Sequence, residues 1–171
     1  VRCWGRGYSD LTAASPCHIL DWTCKGQRHV TRSTFAAELL SAGDAADQGL
    51  LLAQQLHEVQ VGPTSSASAR DMRLQGGFST PIAVYVDAMS VCAAGSATFV
   101  KTPAEKSLLC YVQFVRELLD RGVMSAIVWI DTRDMAADGL TKGTVDRSGL
   151  EALMDGKIEF RHPNKTWQPK I

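Results

Sequence analysis

The sequence lacks an excess of charge of either sign, because its 18 lysines and arginines are balanced by 18 aspartates and glutamates. A neutral total gives no long-range attraction to nucleic acid, so any contact with a polyanion must come from a local group of cations. The chain also lacks an apolar stretch approaching the roughly 18 residues that a membrane-spanning helix needs. No basic segment followed by an apolar one opens it. We therefore expect a soluble protein with no secretory signal and no membrane partner.

The cysteines follow no recognisable pattern. There are five, none in a Cys-x-x-Cys pair, and an odd, scattered set argues against both a disulfide framework and a zinc site. We therefore expect a reducing intracellular compartment, cytoplasmic or nuclear. Residue 1 is valine, which suggests a chain cut from a longer open reading frame. The 171 residues contain no internal repeat and fit one folded domain with a real core.

The first half of the chain predicts a hairpin and a long helix. The hairpin strands are expected in residues 1–12 and 17–24, with a turn at Ser15-Pro16 between them. A helix of about six turns follows, with Ser33 or Thr34 as its cap. Residues 62–80 are rich in small and polar residues and predict a long connection. The apolar stripe of the helix, at spacings of three and four, consists of Phe35, Leu39, Ala42, Ala46, Leu50, Ala53 and Leu56.

The second half predicts two buried strands, 82–86 and 126–130, each followed by an acid. A short helix is expected from about residue 88 to 94. A longer helix should begin at "TPAEK", where Thr102 caps, Pro103 takes the first position and Glu105 completes a capping box. This longer helix should end at Arg121-Gly122, and its predicted buried stripe is Leu108, Val112, Val115 and Leu119.

Two apolar strands joined by helices predict a right-handed parallel crossover. The fold class is therefore α/β, with a mixed sheet in which an antiparallel hairpin adjoins parallel strands, and with helices at its flanks. Trp22 and Trp129 fall on predicted strands and are expected in the core. His18, His57 and His162 show no partner spacing and receive no role.

Three acids from distant segments are predicted to meet at one edge of this sheet. Ligands of open α/β sheets gather at the carboxyl ends of parallel strands. Asp87 follows strand 82–86, Asp138 begins a short helix after strand 126–130, and Glu38 is expected in the first turn of the long helix. Converging carboxylates repel one another unless a cation separates them, and oxygen ligands favour Mg²⁺ or Mn²⁺. Two such ions about 4 Å apart can support phosphodiester cleavage.

Three blocks carry a resemblance to a known family. "RSTFAAELLSA", "IAVYVDAMSV" and "IDTRDMAADGLTK" resemble, in order and spacing, signature blocks of the ribonuclease H domain of copia-type retrotransposon polyproteins. The similarity extends from about residue 5 to residue 143, so 1–145 is read as this domain and 146–171 as a carboxyl-terminal extension. The resemblance implies a ribonuclease H-like fold. It also implies two-metal hydrolysis of the RNA strand of RNA-DNA hybrids, next to a reverse transcriptase and other domains of one polyprotein.

The resemblance implies catalytic and metal-binding roles for Glu38, Asp87 and Asp138. The family's fourth carboxylate lies on a first central strand that is expected upstream of Gly7-Tyr8, so that strand is missing from the predicted sheet. Ala88 stands where the family often has asparagine. Asp10 falls after the expected position and is not assigned to the site.

Less specific readings of the same residues remain open. Glu38 would suit a helix dipole, Asp87 a helix cap and Asp138 a solvated helix end, while Asp131 and Asp134 fit loop acids better than ligands. The basic residues before the long helix predict contacts with a sugar-phosphate backbone. These predicted nucleic-acid-binding residues are Lys25, Arg28 and Arg32.

Two other functions were weighed against the nuclease. The first is a catalytically inactive ribonuclease H-fold module with a structural or nucleic-acid-binding role. The second is a receiver-like domain that uses an acidic Mg²⁺ pocket for phosphoryl transfer. The receiver-like domain is disfavoured because it would begin with its acidic strand and alternate strand and helix throughout.

Overall fold

The computed structural model describes residues 2–5, 14–26, 30–97, 103 and 105–168. Two three-stranded sheets form, in the orders β1-β2-β5 and β3-β4-β6, and together they contain parallel and antiparallel pairs. The predicted mixed α/β class is therefore confirmed, while the ribonuclease H-like arrangement stays a prediction. The elements are β1 (Arg2–Gly5), β2 (Ser15–Asp21), α1 (Thr34–Val61), α2 (Ser66–Gln75), β3 (Ile82–Val86), α3 (Met89–Ser96), α4 (Leu109–Asp120), β4 (Met124–Trp129), α5 (Asp138–Thr141), α6 (Ser148–Met154), β5 (Lys157–Ile158) and β6 (Lys165–Trp167).

The chain divides into two compact units. The first unit spans Val1–Arg28 and Trp129–Lys165, and the second spans His29–Val128 and Thr166–Ile171. The domain boundary predicted at residue 145 stays a prediction. Across the described ranges, every helix is too short or too polar to cross a bilayer.

Helix α1 organises the second unit. Its cap is Ser33, whose hydroxyl accepts a hydrogen bond from the Ala36 amide at 3.1 Å. The helix is longer than predicted, with 28 residues, because it continues past the apolar stripe to Gly62. The stripe itself is confirmed, since four of its members are fully buried: Leu39, Ala42, Ala46 and Ala53.

The strands of the second unit lie against these helices. α1 packs on β3, α3 and α4, so its buried stripe covers the sheet and its crossover helices. The Ser125 hydroxyl of β4 donates to the Ile82 carbonyl of β3 at 2.7 Å. Ile127 and Val128 have no exposed surface. Burial of this kind is worth roughly 1.5–3 kcal/mol for each large aliphatic side chain, which makes β4 the best-anchored strand of the unit.

The connection predicted over residues 62–80 is wrong, because α2 forms within it. The Ser65 hydroxyl accepts from the Ser68 amide at 3.1 Å, and Arg73 donates to the Gln54 side chain of α1 at 2.6 Å. None of the α2 residues is buried, so the segment has no apolar stripe from which a helix could be read.

The predicted start of the longer helix is also wrong. Pro103 precedes the helix, a 3-10 turn covers Lys106–Leu108, and α4 begins at Leu109. Thr102 lies outside the described residues. A capping pattern is a local preference worth about 1 kcal/mol, whereas the predicted buried stripe that anchors this helix starts only at Leu108, which is 4% exposed. The predicted end is confirmed, with Gly122 at φ +68°.

The first unit contains the two predicted antiparallel strands, but the predicted turn at Ser15-Pro16 is wrong. β1 and β2 are antiparallel, but Ser15 and Pro16 begin β2 by pairing with Ile158 and Lys157 of β5, so they form no turn. The unpredicted helix α6 packs on β2 and β5. The buried apolar residues described in this unit are Cys17, Ile130, Leu153 and Phe160.

Candidate functional site

Asp87 directly follows the buried strand β3. Val86 before it is 8% exposed, and Asp87 itself is half-buried. The capping position of α3 belongs to Ala88, one residue later, so the alternative that places Asp87 at the cap is wrong. Ligands of α/β sheets gather at the carboxyl ends of strands, and this position makes Asp87 a candidate for binding chemistry.

Glu38 lies on the helix that packs against β3. The Ser33 cap makes 34–37 the first turn of α1, so the predicted first-turn position of Glu38 is wrong and it lies just beyond that turn. The favourable effect of the helix dipole on an acid fades after the first turn. Glu38 is half-buried next to the fully buried Leu39. A favourable interaction with the dipole of α1 therefore accounts for the presence of Glu38 less well than its predicted first-turn position indicated.

Asp138 belongs to the first unit and has a cation of its own. It is the first residue of α5, and its carboxylate pairs with the Lys142 ammonium at 2.6 Å. The Asp138 side chain is 16% exposed and that of Lys142 is 51% exposed. An acid four residues before a lysine is the favourable orientation for a pair on one helix face. A metal ion at Asp138 would have to compete with Lys142.

The described residues include no group of three or more His, Cys, Asp and Glu side chains placed to hold a metal ion. Glu38 and Asp87 offer the oxygen donors that Mg²⁺ and Mn²⁺ prefer, and both belong to the second unit. The side chains fit this metal class by donor chemistry, but the described geometry does not assemble a three-carboxylate site. The shared metal site of Glu38, Asp87 and Asp138 stays a prediction.

Asp131 is a loop acid with a bidentate partner. Its two carboxylate oxygens accept from Nε and a terminal nitrogen of Arg133 at 2.8 and 2.9 Å, and Asp131 also caps the following 3-10 turn. Hydrogen bonds from the Arg133 side chain and backbone hold the pKa of Asp131 well below its usual range. The same pairing raises the pKa of Arg133.

Asp134 and His162 form a pair that no sequence pattern predicted. Asp134 accepts from the His162 amide at 2.8 Å, and its other oxygen lies 2.9 Å from the His162 ring nitrogen Nδ1. The carboxylate is 6% exposed, and His162 lines a surface depression bounded by residues 159–164. The two residues are 28 positions apart, so no local pattern connects them. The pair holds the chain after β5 to the turn after β4.

Two of the three basic residues predicted to contact nucleic acid lie in the described part of the chain. Lys25 and Arg32 are exposed, while Arg28 lies outside the described residues. Trp22, predicted to be in the core, is 64% exposed, so that prediction is wrong; Trp129 is half-buried. Strand β2 ends at Asp21, so Trp22 is past the paired region and gains no cover from a neighbouring strand.

Comparisons with protein-family models, with curated proteins and with solved structures gave no match for this chain.

Proposed function

We propose that this chain is a ribonuclease H-like module that binds RNA-DNA hybrids and hydrolyses their RNA strand, with Glu38, Asp87 and Asp138 as its catalytic carboxylates. The observation that carries the proposal is the position of Asp87, half-buried directly after β3, with Glu38 on the helix that packs against this strand. The ordered resemblance of three sequence blocks supplies the reaction. In a polyprotein of that family, the module would work beside a reverse transcriptase.

The role of the carboxylates follows from their chemistry. Glu38 and Asp87 would hold Mg²⁺ or Mn²⁺ through oxygen atoms, and the resemblance assigns the same role to Asp138, whose carboxylate pairs with Lys142. A pair of bound ions would supply Lewis-acid activation for phosphodiester hydrolysis. The burial of Val84 and Val86 holds in place the strand that presents Asp87.

A second candidate function is a nucleic-acid-binding module without catalysis. Two observations favour it: Asp138 is already neutralised by Lys142, and the described residues include no three-ligand metal group. Binding without cleavage would need only the exposed cations and an aromatic surface. Lys25 and Trp22 provide both within one short segment of the first unit, and Arg32 adds a cation in the second.

Recognition of a hybrid would depend on shape rather than base sequence. Proteins read duplexes that contain RNA through 2′-hydroxyl and phosphate contacts. An exposed indole stacks on nucleic-acid bases with about 1–3 kcal/mol per base. Trp22 is therefore suited to an unpaired or frayed end of the hybrid, and Lys25 to the backbone beside it.

Cleavage of a labelled RNA-DNA hybrid with Mg²⁺ tests the first function. The resemblance requires the fourth carboxylate, so the chain is assayed with the family's first strand joined to its amino terminus. We expect cleavage by this chain, a loss of about 100-fold in Asp87→Asn and in Glu38→Gln, and an unchanged rate in the control Asp71→Asn, an exposed acid on α2. Full activity in Asp87→Asn would overturn the assignment of this residue. Hybrid binding with no cleavage would instead support the second candidate.

Salt dependence of hybrid binding tests the contact residues. Lys25→Ala and Arg32→Ala should each weaken binding and lower the slope of log affinity against log salt by about 1, because each removes one phosphate contact. Lys106→Ala changes an exposed lysine of the 3-10 turn before α4 and serves as the matched control. Equal effects of all three changes would indicate non-specific charge attraction and remove Lys25 and Arg32 from the interface.

A further inference from the structure

The hairpin of the first unit places two cysteines on one face. In the β1-β2 register, Cys3 lies opposite Ile19 and Gly5 lies opposite Cys17. Residues opposite each other share a face of the sheet, and so do residues two apart on one strand. Cys3 and Cys17 are therefore diagonal neighbours on the same face.

Gly5, which lies opposite Cys17, leaves the space beside Cys17 without a side chain from β1. A Cβ at Gly5 would lie 2.7 Å from the Pro16 carbonyl oxygen and 3.3 Å from the Cys17 Cα, so a larger residue would not fit there. β1 therefore places no side chain directly opposite Cys17, and Cys3 is the neighbouring β1 residue on that face. Interaction with Cys17 is one cause of the raised pKa of Cys3, after desolvation.

The two thiols differ in access. Cys17 is 2% exposed, whereas Cys3 is exposed on the hairpin surface. Desolvation raises the pKa of Cys3 to about 12 and also raises that of Cys17. Both thiols are therefore protonated at neutral pH, and each must lose its proton before it can attack a disulfide. A reagent from solution meets Cys3 first.

We propose that Cys3 and Cys17 are a reversible oxidation site that closes to a disulfide by exchange with a small disulfide such as oxidised glutathione. The Cys3 thiol loses its proton and attacks one glutathione sulfur, which breaks the glutathione S–S bond and releases one reduced glutathione. Cys17 then attacks the Cys3 sulfur and releases the second. The protein loses two hydrogens, and one glutathione disulfide becomes two thiols, so atoms and electrons balance.

The geometry predicts a disulfide that is easily reduced. Diagonal Cα atoms in an antiparallel pair are typically about 7–8 Å apart, whereas disulfides favour about 5.5–6 Å. Closing the bond therefore draws the strands together, and strained disulfides have more oxidising potentials. In a reducing compartment the pair stays as thiols, and under oxidising conditions it locks β1 to β2. This inference does not depend on the proposed nuclease activity.

A glutathione redox titration of the full 171-residue chain tests the site. Samples at increasing ratios of oxidised to reduced glutathione are quenched in acid, alkylated and mapped by peptide mass spectrometry. We expect a linked Cys3–Cys17 peptide that has lost two hydrogens and disappears on return to reducing conditions. The double variant Cys24→Ser with Cys110→Ser, which removes two other exposed thiols, should form the same linked peptide.

Two variants make the result decisive. Cys3→Ser changes an exposed residue, and Cys17→Ala removes the buried partner; each should abolish the linked peptide, and the oxidised parent alone should unfold several degrees higher than its reduced form. The inference is overturned if Cys17 remains free to be alkylated after denaturation at ratios that fully oxidise Cys24 and Cys110. It is also overturned if Cys3 ends as a stable mixed disulfide or bonded to another cysteine.

Discussion

The two units of this protein are stabilised by different interactions. In the second unit, buried apolar side chains line α1, β3, α4 and β4, and Arg121–Glu117 is an ion pair on an exposed helix surface. The described part of the first unit buries four apolar side chains but has four ion pairs and a carboxylate–histidine pair, Asp134–His162. The ion pairs are Arg2–Asp21, Arg133–Asp131, Lys142–Asp138 and Arg161–Glu159.

This difference shows how the acids of the chain should be interpreted. In the first unit, Asp131, Asp134 and Asp138 each have an identified basic partner, so their charge serves the structure before any ligand arrives. Apolar burial dominates the second unit, and there Glu38 and Asp87 are half-buried next to the apolar core. The contrast predicts that mutations lower the free energy of unfolding strongly where apolar burial dominates and only slightly where ion pairs dominate.

The largest expected effect is in the core of β4. Ile127 has no exposed surface, and Ile127→Ala should lower the free energy of unfolding by about 2–5 kcal/mol, through lost burial and the cavity left behind. The matched variant is Leu153→Ala in the first unit. Because the core of this unit is smaller, the loss in free energy of unfolding should be no more than about 2 kcal/mol. Urea denaturation of both variants measures this. Equal costs would contradict the contrast between the units.

A smaller effect is expected at the most enclosed pair of the first unit. Asp134→Asn keeps the shape of the side chain but removes the charge that accepts from the His162 amide and ring, so stability should fall by about 1–3 kcal/mol. Asp155→Asn changes an exposed acid of the same unit and should be neutral within about 0.5 kcal/mol. Denaturation curves compare the two. A neutral Asp134→Asn would show that the pair contributes nothing to stability.

A still smaller effect is expected on α5. Lys142→Met removes the ion pair with Asp138 and should lower the free energy of unfolding by about 0.3–0.5 kcal/mol, because the lysine half of the pair is exposed to solvent and such i,i+4 pairs contribute little. Lys157→Met, an exposed lysine on β5, is the control. Thermal unfolding at low and high salt checks the result. A difference from the control that persists in high salt would mean that Lys142 acts through packing rather than charge.

The last prediction concerns the pH at which the Asp131 carboxyl titrates, which is measured directly rather than through unfolding. The pKa of Asp131 in the folded protein lies below its value in the unfolded chain. The stability that the ionised carboxylate contributes is therefore fully present above the ordinary aspartate pKa of about 3.9 and is lost as the pH falls through the folded pKa. An NMR titration should find the Asp131 carboxyl still ionised at pH values below about 3.9. Arg133→Ala should return the midpoint toward the ordinary value. An unchanged midpoint would remove Arg133 as the cause.

Expectations from the sequence held where burial and periodicity coincide. The stripes of α1 and α4 are periodic because each is covered on one face, and both are confirmed. The strand before Asp87 forms over the predicted residues, with Val84 and Val86 buried. Expectations failed where local chemistry was the only guide. α2 buries nothing and so gave no signal, and the capping pattern at Pro103 did not decide where α4 begins.

The sequence by itself determined the α/β class, the placement of Asp87 at a strand end and of Glu38 near the start of a long helix, because these depend on residue order and on one-sided burial. Only the tertiary structure decided the partners: Asp134 with His162, Ser15-Pro16 with β5, and Cys3 beside Cys17. Such contacts join segments far apart in the chain. Their geometry comes from the packing of several elements at once, which no local pattern records.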